Sequence, residues 1–252
     1  MENNICSYKN HDYKAKFWEG DIKRDYEYNS EIIAINKLLN KKGENIIDLG
    51  AGFGRLIETY ITKYTKEIVL FDYAENLLDE ARTVIEQKKY KNARTVQGNV
   101  YELPFDDKTF SAAISVRVLH HIEDVPRFLK EVNRILQDDA VFILEYANKR
   151  NILEIIRFIL GKSKMKPFVK EVSRRGEDVY FNFHPLYIQE QAEKAGFVIE
   201  DKLSVSNFRS SFLKKAIPLK NLLYMEKLVQ KLFAKITFGH SMFLKLRKSG
   251  RI

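Results

Sequence analysis

The stretch Ile46-Ile47-Asp48-Leu49-Gly50-Ala51-Gly52-Phe53-Gly54-Arg55 constrains this 252-residue chain more than any other part of it. Residues 46–49 are an apolar run broken by one acid, Asp48, and read as a buried strand. Three glycines follow at alternate positions, Gly50, Gly52 and Gly54. Residues 56–64 then carry Leu56, Ile57, Tyr60, Ile61 and Tyr64 at helical spacing, so a helix is expected there. Glycines let the backbone take positive φ and approach a ligand with no Cβ in the way. The start of a helix offers unpaired N–H groups. Strand, glycine turn and helix together make a corner suited to a nucleotide-like ligand; the plain alternative is a structural strand–helix turn.

The spacing narrows the ligand. A dinucleotide fingerprint runs Gly-x-Gly-x-x-Gly. Here the third glycine comes one residue early, and Arg55 stands where it should be. An acid also lies two residues before the first glycine. Asp-x-Gly-x-Gly-x-Gly resembles motif I of the class I S-adenosylmethionine (SAM) methyltransferases. The methionyl end of SAM carries an ammonium and a sulfonium, so an acid near the turn is favourable where a pyrophosphate would be repelled. The resemblance implies contacts from Asp48, Gly50, Ala51, Gly52 and Gly54.

Further motifs follow in order. Residues 67–71 read as a second strand ended by Asp72, about 20 residues beyond Gly52, placed to accept both ribose hydroxyls. Tyr73 beside it is expected against the adenine face. Residues 75–89 read as a helix and 92–96 as a third strand. Gly98-Asn99-Val100-Tyr101-Glu102-Leu103-Pro104-Phe105 is similar to the Gly-Asp-Ala-x-x-Leu-Pro-Phe segment of the ubiquinone/menaquinone C-methyltransferase-like group. The acid that meets the adenine amino group there is Asn99 here, whose amide oxygen still accepts; Val100 follows it. Residues 110–116 read as a fourth strand. Residues 115–124, Ser-Val-Arg-Val-Leu-His-His-Ile-Glu-Asp, resemble the segment after strand four of the same group. They imply backbone contacts from Val116 and Arg117. His121 is a candidate base or a structural imidazole pinning the loop.

Residues 125–136 read as a helix and 141–145 as strand five. Where the group carries Lys-Pro-Gly-Gly between them, this chain has Gln137-Asp138-Asp139-Ala140, expected as a turn. Strands alternating with helices independently argue a parallel sheet covered on both faces. The fold expected is α/β: a Rossmann-like, doubly wound, mostly parallel seven-stranded sheet with an antiparallel last strand and a helical cap. Residues 1–43 form an N-terminal helical cap, helical over 11–40 with Phe17 and Trp18 on it. Residues 44–147 form the SAM-binding core and 148–180 a cap insertion. Residues 181–206 supply a core helix and strand six, 207–235 a helical insertion, and 236–252 the last strand and tail. Arg24 in the first segment is a candidate for the methionyl carboxylate, as a planar fork.

Both insertions should leave the carboxyl edge of the sheet, where ligands of such sheets sit. They should therefore cap one crevice and bring Lys162, Lys164, Lys166, Arg174 and Arg175 to its mouth. A stripe of Leu219, Leu222, Leu223, Leu228, Val229, Leu232, Phe233 and Ile236 should pack on the core. His184, just before a helix over 186–195, is the second candidate base, or a packed residue at a turn before Pro185.

Composition bounds the rest. The single cysteine, Cys6, excludes an internal disulfide framework and a cysteine-cluster metal site, and no metal-ligand spacing occurs. A polar N-terminus and the lack of a long apolar run predict a cytoplasmic protein without a transmembrane segment. The net charge is +9, and residues 202–252 hold twelve Lys/Arg against one acid, Glu226. A small-molecule acceptor, anionic or lipid-like, is the first expectation for the substrate. A tRNA or other RNA acceptor is the alternative suggested by the basic insertions. A SAM-binding protein without catalysis is the third. The cofactor implied is SAM, with S-adenosylhomocysteine as product. The sequence leaves the oligomeric state open.

Overall fold

The computed structural model describes residues 24–174 and 180–250. Phe17, Trp18, Arg175 and the first part of the expected N-terminal helix lie outside them. The order is α1 (Asp25–Leu38), β1 (Gly43–Leu49), β2 (Tyr64–Asp72), α2 (Glu75–Lys88), β3 (Ala93–Gln97), β4 (Phe110–Ser115), α3 (Val125–Ile135) and β5 (Leu136–Ala147). Then come α4 (Ile152–Ile159), β6 (Ser173–Arg174), β7 (Phe181–Asn182), α5 (Pro185–Lys194), β8 (Phe197–Val205), α6 (Ser211–Ala216), α7 (Leu219–Ala234) and β9 (Ser241–Lys248). Seven strands make one sheet in the order β3-β2-β1-β4-β5-β9-β8. Strands β1 to β5 are mutually parallel, and β9 lies antiparallel between β5 and β8. The expected architecture is the observed one.

Each face of the sheet buries its own core. Ile47, Leu49, Val69, Phe71, Phe142 and Leu144 meet Phe128, Leu129 and Val132 of α3 and Ile188 of α5. The alternate residues Ile46, Ile68, Leu70, Ala112, Ile114 and Ile143 meet Ala34, Ile35 and Leu38 of α1. This is the period-two pleat at work: neighbours along a strand go to opposite layers.

Two local expectations are corrected. Residues 56–64 form no α-helix; a 3₁₀ turn, Ile57–Thr59, and irregular turns take its place. The crossover must return along the length of β1, roughly 20 Å at strand rise. About nine residues remain for it after the glycines, and an α-helix of that length covers only ~14 Å. The looser path still buries Leu56, Ile57 and Tyr60. Residues 137–140 form no turn: β5 starts at Leu136, directly after α3. The extra residues are absorbed as an irregularity, Phe110 facing Leu136 and Ala112 facing Val141. Asp139 takes φ 60° there and pairs with Arg247, while Asp138 pairs with Lys108.

The α7 stripe is also corrected. Leu228, Leu232 and Ile236 are exposed, and the inward face carries Leu222, Glu226, Gln230 and Ala234. Glu226 sets that rotation. Its carboxylate accepts from Tyr26 Oη (2.6 Å), Ser206 N (2.9 Å), Asn207 N (3.1 Å) and Asn207 Nδ2, joining α7 to α1 and the end of β8. Gln230 donates to Ser30 O. Glu226→Leu should therefore strand several buried donors and cost about 2–4 kcal/mol in urea denaturation. Leu228→Ser should stay within about 0.5 kcal/mol. Equal losses for the two would contradict this orientation of the helix.

Candidate functional site

The carboxyl ends of β1, β2 and β4 converge on a cleft lined by Gly50, Gly52, Asp72, Tyr73, Asn99, Val100, Arg117, Val118 and His121, among others. Asp72 organises it. Its Oδ2 accepts from Gly52 N (2.8 Å) and its Oδ1 from Ala74 N (2.9 Å). Burial raises its pKa, and the N–H groups of Ala74, Gly52 and Tyr73 pull it back. Each oxygen keeps a lone pair for a further donor. Gly50, at φ 76°, packs so closely that a Cβ would fall 2.2 Å from Val118 Cγ2. Gly52, at φ 54°, is different: a Cβ there would meet only Leu77 Cδ1, at 3.8 Å. Leu77 lines the cleft too, so the space above Gly52 is the cleft itself.

Asn99 sits across the cleft, its Oδ1 accepting from Tyr101 N (2.9 Å). Val100 and Tyr73 lie beside it on the lining. Asp48, Ala51, Gly54 and Val116 do not line the cleft. The pleat sends Asp48 with Ile46 to the α1 side of the sheet, where Tyr60 Oη donates to it at 2.6 Å. Ala51 and Val116 are buried beneath, and Gly54 approaches Leu70 and Ala81.

A second cavity, of about 400 Å³, adjoins the first and shares Arg117 with it. Arg24, Glu27, His120, Glu145, Tyr180, Arg209 and His240 are among its walls. Arg24 therefore belongs to this cavity and not to the cleft. The His120 ring lies tilted against His121 (4.0 Å between centroids, 55° between planes) and against Tyr180 (4.4 Å, 34°). Burial, then His121 and Arg117, push its pKa well down, so it is neutral at pH 7. The sequence singled out His121 and passed over His120, one residue away in the same 3₁₀ turn, Leu119–His121. Arg209, Tyr180 and Glu145 gave no motif signal, because distant loops bring them together.

His184, the other candidate base, is a capping residue. Its Nδ1 accepts from Leu186 N (3.2 Å) at the start of α5, and it lines neither cavity. The cap insertion also departs from expectation. Lys162, Lys164, Lys166 and Arg174 line a separate cavity beneath α4. The second insertion contributes Arg209 to the shared crevice, while α7 lies against α1 and β8.

A buried ionic clasp fixes the border between the cleft and the second cavity. Glu31, 1 % exposed, accepts from Arg55 Nη1 (2.8 Å) and Arg117 Nε (2.7 Å). Arg117 sits at φ 63°, and its N–H donates to Glu145 (2.8 Å), which in turn accepts from Ser241 Oγ (2.5 Å).

This fold and glycine–acid cleft define a Rossmann-like α/β protein with an open cleft at the strand ends. Comparison with known proteins is specific about which kind. A family model described as "Methyltransferase domain" matches residues 47–144. The methyltransferase YcgJ of Bacillus subtilis is 27% identical over 147 residues, 58% of each chain. A demethylmenaquinone methyltransferase of Symbiobacterium thermophilum is 26% identical over 182 residues, 64% of this chain and 71% of that one. The matched stretches thus span 58% and 71% of these two curated relatives. The geranyl diphosphate C-methyltransferase of Streptomyces coelicolor, solved with S-adenosylhomocysteine, has the same fold: TM-score 0.59 over 87% of this chain and 77% of that one, at 12% identity. Residues 47–144 carry a methyltransferase domain of the class I, SAM-dependent kind, and the cofactor of that domain is SAM. The cleft suits that cofactor: an acceptor-only carboxylate at Asp72, and a glycine whose missing side chain leaves the cleft open.

Two buried carboxyls carry opposite pH signatures. Burial opposes ionisation of Glu31, but Arg117 and Arg55 hold its carboxyl below the ordinary 4.5. Its contribution to stability is complete above that value and is lost as pH falls through the lower folded value. Burial instead pushes Asp48 up to about 6, from 3.8. Across that window the native state keeps a proton the unfolded chain has released, so Asp48's contribution declines as pH rises. In denaturation at stepped pH, Asp48→Asn should remove a falling component between pH 3.8 and about 6. Glu31→Gln should be most destabilising above pH 4.5, with the deficit closing below it. Reversed signs would refute both assignments.

Proposed function

We propose that this protein transfers the methyl group of SAM to a small anionic acceptor held in the cavity beside the cofactor cleft. The observation that carries the reading is the wall the two sites share at Arg117, with Arg24, Arg209, His120 and His240 on the acceptor side. Asp72 is the proposed partner of the ribose hydroxyls. Tyr73, Val100 and Asn99 would border the adenine, and the glycine turn the methionyl part. SAM brings a methyl already activated on a sulfonium, so the protein's task is alignment, plus a base where the acceptor is protonated. The neutral imidazole of His120 is the proposed base; His121, on the cleft lining, would orient it through their ring contact. Arg209 makes no ion pair with any described residue, and its charge suits a carboxylate, phosphate or phenolate on the acceptor.

The cavity's size, about 400 Å³, favours a small molecule over RNA. Incubating the protein with methyl-labelled SAM and cell extract tests this directly. Label should appear in a small, nuclease-resistant fraction that anion exchange retains. Label that disappears on nuclease treatment would favour the RNA alternative, and no label above background would favour a SAM-binding protein without catalysis.

Two substitutions separate the sites. Gly52→Val should abolish SAM binding in calorimetry while the protein stays folded, because the side chain fills the cleft. Arg209→Glu should leave SAM affinity unchanged and raise KM for the labelled acceptor at least about tenfold, the scale on which a charge-assisted hydrogen bond contributes to binding. An unchanged KM would remove Arg209 from the acceptor site.

A further inference from the structure

We propose that residues 149–174 form a docking surface for an anionic lipid bilayer. Four observations converge on it.

First, α4 is inverted. A surface helix normally turns its apolar side to the core. Here the buried residue is the acid, Glu154, which accepts from Ser163 Oγ and whose N–H donates to the capping Asn151. Leu153, Ile156, Ile159 and Leu160 face solvent at 47 %, 46 %, 70 % and 60 % exposure, and Phe168 joins them at 56 %.

Second, this apolar face is held rigidly. Asn151 caps the helix through Glu154 N (3.0 Å), and Ile152 N donates to Phe238 O (3.1 Å). Asn148, at the end of β5, donates to Thr237 O and Gly239 O, both at 2.8 Å. The exposure is therefore built into the fold where the chain leaves β5.

Third, the charge is one-sided. Residues 149–174 hold eight basic and two acidic residues. The chain after α4 is extended, with Ser163 and Met165 turned in and Lys162, Lys164 and Lys166 out. Those three lysines make no ion pair with any described residue. Long lysine stems lie along apolar surface while their ammonium groups reach out, as at a membrane interface.

Fourth, a cavity of about 680 Å³ opens behind these lysines, lined also by Lys149, Arg157 and Arg174, so that its cations outnumber the two carboxylates on its wall, Glu154 and Glu171. It can receive a phosphate group. Apolar side chains to enter the acyl boundary, lysines to meet the surface potential and a basic cavity for a headgroup phosphate match an anionic bilayer on each count. A free anion would match the basic cavity alone, and a protein partner would leave a phosphate-sized basic cavity without a role.

The proposal stands independently of methyl transfer and is tested without it. The full-length protein is sedimented with phosphatidylcholine vesicles that do or do not contain phosphatidylglycerol, at low and high salt. Binding is expected only with phosphatidylglycerol, weakening as salt rises. Ile156→Asp with Ile159→Asp, and separately Lys162→Glu with Lys164→Glu and Lys166→Glu, should each lower the partition coefficient at least about tenfold. All five positions are exposed, so the thermal midpoint and SAM affinity should not move. Three results would overturn the proposal. One is failure to bind phosphatidylglycerol vesicles at low salt. Another is inorganic phosphate binding that the lysine reversals abolish in a protein that ignores vesicles, which would make this a small-anion site. The third is concentration-dependent dimerisation, lost in the Ile156/Ile159 variant, in a protein that ignores vesicles.

Discussion

Arg55, Glu31 and Arg117 come from three segments that sequence separates and the fold must bring together. Glu31 lies on α1, Arg55 directly follows the glycine turn, and Arg117 follows β4. Burying a carboxylate is costly unless it is paired and hydrogen-bonded. Two guanidinium forks satisfy it, and without it they would face each other unscreened. The clasp also explains a strained residue. Arg117 occupies the left-handed region, which costs a non-glycine residue about 1–2 kcal/mol. The cost is offset because that conformation aims its N–H at Glu145 and its side chain at Glu31. From Ser241 on β9 through Glu145, Arg117 and Glu31 to Arg55, one polar chain crosses the carboxyl edge of the sheet. Both cavities are defined by where it runs.

The sheet was legible in the sequence because its strands are apolar runs punctuated by turn residues and acids. The place of Asp72 at the tip of β2 was legible because an acid directly ends the apolar run of that strand. What failed had physical causes that periodicity does not carry. Residues 56–64 have helical spacing, yet the distance their crossover must span forbids a helix. The α7 stripe was apolar, but Glu226 and Gln230 bind partners on α1, about 200 residues away, and so set the rotation of the helix. His184 looked like a base because a histidine before a helix can reach a ligand; its Nδ1 is occupied by a backbone N–H. Asp48 carries the motif's acid, and the pleat faces it away from the cleft. Arg209 and Tyr180 belong to no motif, and only the assembled edge shows that they meet.

The distribution of positive charge was legible in amount and not in place. The excess in residues 202–252 and the lysines of 162–166 read as one basic cap. In the fold they separate: Arg209 reaches the cavity beside the cleft, and the lysines line another beneath α4. Field lines from a solvent-exposed lysine fade over about 8–10 Å at physiological salt. The two basic regions face different cavities, and substitutions in each test them separately.

The protonation state of His120 bears on the proposed acceptor. A general base works best with a pKa near the working pH. Burial against His121 and Tyr180, with Arg117 alongside, holds His120 well below that, so it is a ready but weak proton acceptor. A weak base cannot strip a proton from an ordinary alcohol at a useful rate. It can serve an acceptor whose proton is already acidic, and it is dispensable for one that arrives ionised. Burial is the main cause of His120's neutrality; Arg117, the last of its three causes, is the charge that would also favour an ionised acceptor. Neutral His120 and cationic Arg209 therefore support one reading, an acceptor that supplies its own negative charge at or near the attacking atom. A neutral alcohol would leave the arginine with Glu27 as its neighbouring counter-charge, and the imidazole without the strength for its task.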